Sequence, residues 1–268
     1  MTIDILKRNH VKVLGSGERT IVFGHGFGCD QEMWRLVAPR FADRYRVVLF
    51  DYVGAGRSSL DQYDSVKYGD LEGYAQDLLD VMQSLKLKNA VYVGHSISGM
   101  IGALASIRRP ESFSRMVMVG SSPRYLNDSP GYYGGFDPED IEELLEMMQL
   151  NFIGWASHVA AFTMKNPERA ELKEELERQF ASRDPQIARQ FAEVTFYCDC
   201  RSILPDVPVP VLILQCSDDS IAPLEVGDYL HARLRRSTLK HMTAKGHYPQ
   251  LSQPDETFRL IDHYVTGM

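Results

Sequence analysis

The segment Gly94–Gly99, with the sequence GHSISG, holds the residues best placed for chemistry. It follows the apolar run Ala90–Val93 and precedes a helical pattern. In the G-x-S-x-G motif, small residues permit a tight strand-to-helix turn that exposes a serine hydroxyl as a nucleophile. Here Ser98 replaces the second glycine. The pattern indicates a nucleophilic Ser96, and an ordinary Gly-Ser turn capping a helix is the alternative.

A serine hydroxyl needs a histidine to take its proton and a carboxylate to orient that histidine. At serine sites of this kind, the acid and then the histidine follow the serine along the chain. Asp218 and Asp219 follow the apolar run Val211–Leu214, and His247 follows a later one. The other seven histidines lie in strand or helix patterns or beside the glycines of other motifs. His247 is therefore the candidate base, and the spacing does not decide between the two aspartates.

Acyl transfer also needs two N–H donors for the developing oxyanion. The backbone N–H groups of Ile97, after the serine, and Phe27, in a glycine-rich loop after an early strand, are the candidates. The same loop could be interpreted as a phosphate cradle, and Asp51–Gly56 resembles a dinucleotide motif. The loop around Phe27 lacks the G-x-G-x-x-G spacing of a dinucleotide site. In the Asp51–Gly56 segment, Ser59 stands where the third glycine of that motif would be. Nucleotide binding is thus disfavoured.

Short apolar runs alternate with helical patterns over most of the chain, which is typical of a mostly parallel sheet with helices on both faces. The predicted strands are His10–Leu14, Thr20–Phe23, Arg46–Phe50, Ala90–Val93, Met116–Val119, Val211–Leu214 and Leu239–Met242. The predicted helices between them are Gln31–Ala42, Leu71–Leu85, Ser98–Arg109, Pro223–Leu234 and Asp255–Val265.

The alternation stops between Pro123 and Pro210. Four helical patterns without a convincing strand fill this stretch: Pro138–Leu150, Phe152–Met164, Arg169–Phe180 and Pro185–Tyr197. Two of them begin with an aspartate before a proline, a favourable start for a helix. An all-helical insertion is therefore expected within the alternating fold.

Composition excludes several classes of function. With 29 Lys and Arg against 36 Asp and Glu, the net charge of −7 disfavours nucleic acid as a partner. No apolar stretch is long enough for a membrane span, and the first residues lack a signal-peptide pattern, so we expect a cytoplasmic protein with no membrane partner. The four cysteines show no zinc-ribbon spacing, so no metal site is expected.

Taken together, the chain resembles the α/β-hydrolase superfamily over nearly its whole length. The resemblance is closest to the RsbQ-like branch of bacterial stress-response hydrolases, which is similar to the plant karrikin and strigolactone receptors. It rests on the segments His25–Gly28, Asp51–Gly56, Gly94–Ser96, Ser122–Asp128, Gly134–Phe136 and Gly246–Ser252.

The resemblance implies a triad of Ser96, Asp219 and His247 in an eight-stranded core (1–123 and 202–268). It also implies a four-helix cap (124–201), inserted after the sixth strand. The implied pocket residues are Phe27, His95, Tyr125, Phe136, Trp155, Val159, Phe196 and Ile221. Val159 departs from an aromatic residue found there in close relatives. Core packing within the cap is the alternative role for the aromatic residues.

The expected activity is hydrolysis of a small neutral hydrophobic ester or lactone through an acyl-enzyme, without a cofactor. The resemblance also implies a second possibility of a different class, a ligand receptor or regulator that keeps the triad but acts through a partner. A PAS-domain phosphatase in stress signalling is the partner that the branch suggests.

Overall fold

A computed structural model describes residues 3–267 as a single sheet flanked by helices. Its seven strands are β1 (Lys12–Leu14), β2 (Thr20–Gly24), β3 (Arg46–Leu49), β4 (Ala90–His95), β5 (Phe113–Val119), β6 (Val211–Gln215) and β7 (Ser237–His241). They are ordered β1-β3-β2-β4-β5-β6-β7. Among these strands only β1 runs antiparallel to its neighbour, which agrees with the mostly parallel sheet predicted from the sequence.

The central strands are buried on both faces, which explains their continuous apolar sequences. Every residue of β2, β4 and β6 is buried. The helices that surround the sheet are α1 (Ile5–Arg8), α2 (Leu71–Ser84), α3 (Ile97–Arg108), α8 (Leu224–Arg233), α9 (Pro249–Ser252) and α10 (Pro254–Thr266). The α/β-hydrolase architecture expected from the sequence is confirmed.

The sheet has seven strands within residues 3–267, one fewer than the eight expected. At the N-terminal end, Asp4 accepts hydrogen bonds from the backbone N–H groups of Leu6 and Lys7 and starts the short helix α1. The residues before β1 are thus helical, and no segment beyond the seven named strands pairs with the sheet within residues 3–267. The helical insertion accordingly follows the fifth strand, and not the sixth.

The helix predicted at Gln31–Ala42 is replaced by two short 3₁₀ helices, Gln31–Trp34 and Ala38–Phe41. Pro39 is the physical reason, because proline has no N–H to donate and its ring clashes with the preceding turn of an α-helix. The apolar side chains of the segment are nonetheless buried, with Met33, Trp34 and Phe41 fully inaccessible to solvent.

Four helices connect β5 to β6 and form the helical segment: α4 (Pro138–Leu150), α5 (Phe152–Met164), α6 (Ala170–Ala181) and α7 (Pro185–Phe196). Helix α4 packs on α5 and α7, and α5 packs on α6. The predicted caps are present, since Asp137 forms a capping box with Asp140, and Asp184 accepts from Gln186 and Ile187. The prediction of four helices without a strand is correct.

Candidate active site

Ser96 occupies a sharp turn between the end of β4 and the start of α3. Its backbone has φ 56° and ψ −129°, a strained conformation for a residue with a side chain. The neighbouring backbone is close, since a Cβ atom on Gly94 would lie 2.7 Å from the carbonyl of Ser98. Small residues are therefore required here, as the motif predicts.

Ser98, which replaces the second glycine of the motif, forms hydrogen bonds to two buried tyrosines. Its hydroxyl lies 2.6 Å from the hydroxyl of Tyr52 and 2.7 Å from that of Tyr92. Both tyrosines are fully buried, and burial raises their pKa values, so they stay protonated and hydrogen-bonded at neutral pH. The serine at this position adds a hydrogen-bond network that a glycine could not make.

His247 lies between Ser96 and Asp219. Its Nε2 is 2.8 Å from the Ser96 hydroxyl, and its Nδ1 is 2.8 Å and 3.0 Å from the two carboxylate oxygens of Asp219. The backbone N–H of His247 donates to the carbonyl of Thr163 at the end of α5. Gly246 permits this approach, because its φ is +79° and a Cβ there would lie 2.2 Å from the carbonyl of Met164.

The two candidate aspartates differ in their surroundings. The side chain of Asp219 is fully buried and accepts backbone hydrogen bonds from Ile221 at 2.8 Å and Ala222 at 3.1 Å. The side chain of Asp218 is 53% exposed and pairs with Lys165 at 3.5 Å. Asp219 is thus the carboxylate brought to His247, and Asp218 is a surface residue.

The backbone N–H groups of Phe27 and Ile97 have no hydrogen-bond acceptor among residues 3–267. Ile97 is the first residue of α3, where the N–H has no partner within the helix. Phe27 is in the loop after β2, and Gly28 beside it has a φ of +72°. Two unpaired donors therefore lie in the chain segments where the sequence predicts an oxyanion site, and their role there stays a prediction.

An inner cavity of about 30 Å³ is lined by Ser96 and His247. Its walls are mostly aromatic and aliphatic. Besides Ser96 and His247, the lining residues are Phe27, Tyr125, Leu144, Trp155, Val159, Phe162, Thr163, Phe180, Thr195, Phe196, Ile221 and Tyr248.

An outer cavity of about 280 Å³ opens between α4 and α5. Leu144, Trp155, Val159 and Phe162 line both cavities and so form the partition between them. Asp140, Glu143 and His158 lie at the outer cavity, which is more polar than the inner one. A molecule that reaches Ser96 through this opening must pass the partition.

Residues 21–260 match the sequence profile described as the Alpha/beta hydrolase family. The chain belongs to this family. It is 42% identical over 258 residues to the Karrikin insensitive 2 receptor CA of Petunia hybrida, covering 96% of this chain and 95% of the relative. It is 40% identical over 259 residues to the Strigolactone esterase D14 of Arabidopsis thaliana, covering 96% of each.

A solved structure of a hydrolase from Oleispira antarctica is similar to this alpha/beta hydrolase over almost all of both chains. The TM-score is 0.97 at 38% sequence identity, and the match covers 99% of this chain and 97% of the other. The relatives thus include proteins named as receptors and proteins named as esterases or hydrolases. The resemblance deduced from the sequence motifs is confirmed at the level of the superfamily and of the plant receptors.

The structure places the predicted pocket residues of this alpha/beta hydrolase in three different locations. Phe27, Tyr125, Trp155, Val159, Phe196 and Ile221 line the inner cavity. Phe136 lines the outer cavity instead. His95 lines neither, because its ring lies behind His247 with Nε2 2.7 Å from the His247 carbonyl oxygen. Burial holds the pKa of His95 well below its ordinary value, so His95 is a neutral donor that supports the backbone of His247.

Sequence reasoning missed six residues of the inner wall. They are Leu144, Phe162, Thr163, Phe180, Thr195 and Tyr248. Tyr248 could have been found from its place next to His247. The others lie on helices of the helical segment, where the apolar pattern does not distinguish a cavity wall from core packing.

Within residues 3–267 no group of three or more His, Cys, Asp or Glu side chains could hold a metal ion. All four cysteines are free. None of the helices in this part of the chain has the length and apolar character needed to cross a bilayer. The cytoplasmic location stays a prediction.

Proposed function

We propose that this alpha/beta hydrolase is a serine esterase or lactonase that acts through an acyl-enzyme. The observation that carries the proposal is the chain of hydrogen bonds from Ser96 through His247 to Asp219, with contacts of 2.8 Å on both sides of the imidazole. All three side chains are buried, and the serine and the histidine line a mostly apolar cavity. Nucleophile, base and orienting acid are thus arranged for acyl transfer.

In the proposed reaction, the Ser96 hydroxyl oxygen forms a bond to the substrate carbonyl carbon, and its proton passes to Nε2 of His247. Asp219 accepts from Nδ1 and stabilises the imidazolium. The N–H groups of Phe27 and Ile97 donate to the oxyanion. The protonated His247 then gives its proton to the leaving alkoxide, and a water molecule attacks the acyl-enzyme by the reverse sequence of proton transfers.

The proposed substrate is small, neutral and hydrophobic. The inner cavity is bounded by Phe27, Trp155 and Phe196, and no Lys or Arg lines it. An anionic group would lose its hydration there without a paired charge, which is unfavourable by several kcal/mol. We propose residues 124–201 as a cap domain over the core of 1–123 and 202–268, because the cap helices supply most of this wall.

Intact-mass spectrometry with 4-nitrophenyl acetate, 4-nitrophenyl butyrate and a butenolide ester tests the proposal. We expect a mass increase equal to one acyl group, mapped to Ser96 by peptide sequencing. The Ser96→Ala variant is the control and should show no adduct. Turnover without any contribution of Ser96, or an adduct on another nucleophile, would contradict the proposal.

A second candidate function is a hydrolase-derived receptor or regulator that acts by binding a partner protein. The observation that favours it is the 42% identity to a protein named as a receptor. An RsbQ-like role in stress signalling, with a PAS-domain phosphatase as partner, is the specific form that the sequence motifs suggest. Pull-down of such a phosphatase by wild-type protein and by Ser96→Ala distinguishes the two candidates. Binding that depends on ligand but not on Ser96 supports the receptor role.

A further inference from the structure

Two polar atoms in the residues of the inner wall have no hydrogen-bond partner among residues 3–267. They are the indole nitrogen Nε1 of Trp155, on α5, and the hydroxyl Oγ1 of Thr195, on α7. The two residues are only 1% and 2% exposed. Buried polar groups are nearly always paired, because an unpaired one loses its hydration without compensation. A cavity wall with two such atoms therefore indicates a missing partner.

Equivalent side chains elsewhere in the protein are paired. Thr163 also lines the inner cavity, and its hydroxyl donates to the Val159 carbonyl one helical turn earlier at 2.7 Å. Trp34, the other tryptophan, donates from Nε1 to the Gly24 carbonyl at 3.1 Å. Thr195 has a carbonyl available one turn earlier in its own helix and makes no such bond. Unpaired buried polar atoms also occur elsewhere within residues 3–267, but among the residues that line the inner cavity they are confined to Trp155 and Thr195.

We infer that Trp155 and Thr195 bind polar atoms of the substrate other than the scissile carbonyl oxygen. This inference rests on the proposed esterase or lactonase function. An indole N–H can only donate, so its partner must be an acceptor. The substrate class is therefore a compact neutral ester or lactone with an additional ether or ring oxygen in the part that enters the inner cavity. The remaining apolar wall would select for shape, and these two groups for the position of the oxygen.

A pair of substrates of equal shape tests the Thr195 hydroxyl. In 4-nitrophenyl methoxyacetate, an ether oxygen replaces one methylene of 4-nitrophenyl butyrate, and 3-methoxypropanoate and pentanoate form a second pair. The quantity compared is kcat/KM for the ether ester divided by kcat/KM for its alkyl isostere. Thr195→Val keeps the shape and removes the hydroxyl, and should lower this ratio about threefold to tenfold in at least one pair.

Thr163→Val is the matched control, since its hydroxyl is on the same wall but already bonded to Val159. We expect this variant to keep the wild-type ratio. A ratio unchanged within twofold by Thr195→Val in both pairs would overturn the assignment of Thr195, as would an equal decrease in the control. Failure of the wild type to hydrolyse any of the four esters would instead contradict the proposed function itself.

The two tryptophans permit an independent test of the indole. In ¹⁵N-tryptophan-labelled Ser96→Ala protein, which binds without turnover, two indole N–H signals are expected, and loss of one in a Trp155→Phe variant assigns them. Methyl methoxyacetate should move the Trp155 signal downfield more than methyl butyrate does, while Trp34 stays in place. Equal movement of the Trp155 signal with both ligands would overturn the role of the indole.

Discussion

The carboxyl edge of the sheet and the helical segment hold the side chains around the inner cavity by different means. At the sheet edge, backbone hydrogen bonds fix the chain: the N–H of Ser96 donates to Val119 at 2.8 Å, and Asp219 accepts from the N–H of Ile221. In the helical segment, ring contacts dominate, with the Phe196 ring 6.0 Å from Phe27 and 5.4 Å from Tyr125.

Because of this difference, we expect the sheet edge to carry the chemical step and the helical segment to determine which substrate is accepted. Backbone hydrogen bonds of the sheet edge are largely independent of side-chain identity, so the positions of nucleophile, base and acid tolerate change elsewhere. Ring contacts of the helical segment depend on each side chain, so single substitutions there reshape the cavity. We therefore expect variants at the sheet edge to abolish turnover, and variants in the helical segment to alter which substrate is turned over.

The largest effect is expected at the sheet edge from Ser96→Ala. Removal of the nucleophile should reduce kcat for 4-nitrophenyl butyrate by a factor on the order of 10⁶, because the three residues act as a unit. Stopped-time assays of absorbance at high enzyme concentration measure the remaining rate. The circular dichroism spectrum and the Tm should stay close to those of the wild type. Activity within tenfold of the wild type would remove Ser96 from the mechanism.

The adjacent aspartates provide the next largest effect and an internal control. Asp219→Asn should reduce kcat by a factor on the order of 10⁴, since an amide can favour the wrong tautomer of His247. Asp218→Asn should change kcat by no more than about threefold, because an exposed ion pair such as that with Lys165 contributes little. Steady-state kinetics measure the loss of kcat in both variants. A larger loss in Asp218→Asn than in Asp219→Asn would assign the acid to Asp218.

In the helical segment, Phe196→Asp should lower kcat/KM for neutral esters by on the order of 100-fold, because it places an unpaired carboxylate in the apolar wall. Phe196→Leu keeps the wall apolar and should lower it by less than about tenfold. The same pair of substitutions at Phe136, which lines the outer cavity, should have smaller effects. If both variants of Phe196 left the kinetics unchanged, the wall would not contact the substrate.

The smallest effect concerns stability and the histidines of the sheet edge. Burial lowers the pKa of His25 and of His95 from the ordinary value of 6.5. Below that value the unfolded chain binds protons that the folded chain does not, so the free energy of unfolding falls as the pH decreases, by up to about 1.4 kcal/mol per pH unit for each histidine.

Urea unfolding at about pH 7 and about pH 5.5 measures this loss. His95→Gln should reduce the dependence on pH, whereas His158→Gln, at an exposed position of α5, serves as the control and should leave it unchanged. Equal stability of the wild type at both values of pH would show that neither buried histidine resists protonation.

Much of the fold follows from local patterns in the sequence. The buried strands are continuous apolar runs, and two of the four helices of the helical segment, α4 and α7, follow Asp137 and Asp184, where a capping carboxylate and a proline act within one turn. The local pattern was misleading in one segment, where Pro39 divides a predicted helix into two 3₁₀ helices. The eighth strand was implied by the family resemblance and not by an apolar run, and the sheet of residues 3–267 has seven strands.

For the candidate site, the sequence by itself determined the residue types and the ends of strands that carry them. Ser96, His247 and the pair of aspartates follow apolar runs, and the carboxyl ends of parallel strands meet at one edge of a sheet. The motif also determined that small residues surround the serine, because its turn has no space for larger ones.

Only the tertiary structure decided between neighbours that local sequence cannot distinguish. Asp219 and Asp218 are the same residue type in adjacent positions, but only Asp219 receives the N–H groups of Ile221 and Ala222 and the ring of His247. Likewise, Thr163 and Thr195 both lie on helices, and only the packing leaves the hydroxyl of Thr195 without a partner. The physical reason is that hydrogen-bond partners and cavity walls come from segments far apart in the chain, so their distances are set when the layers pack together.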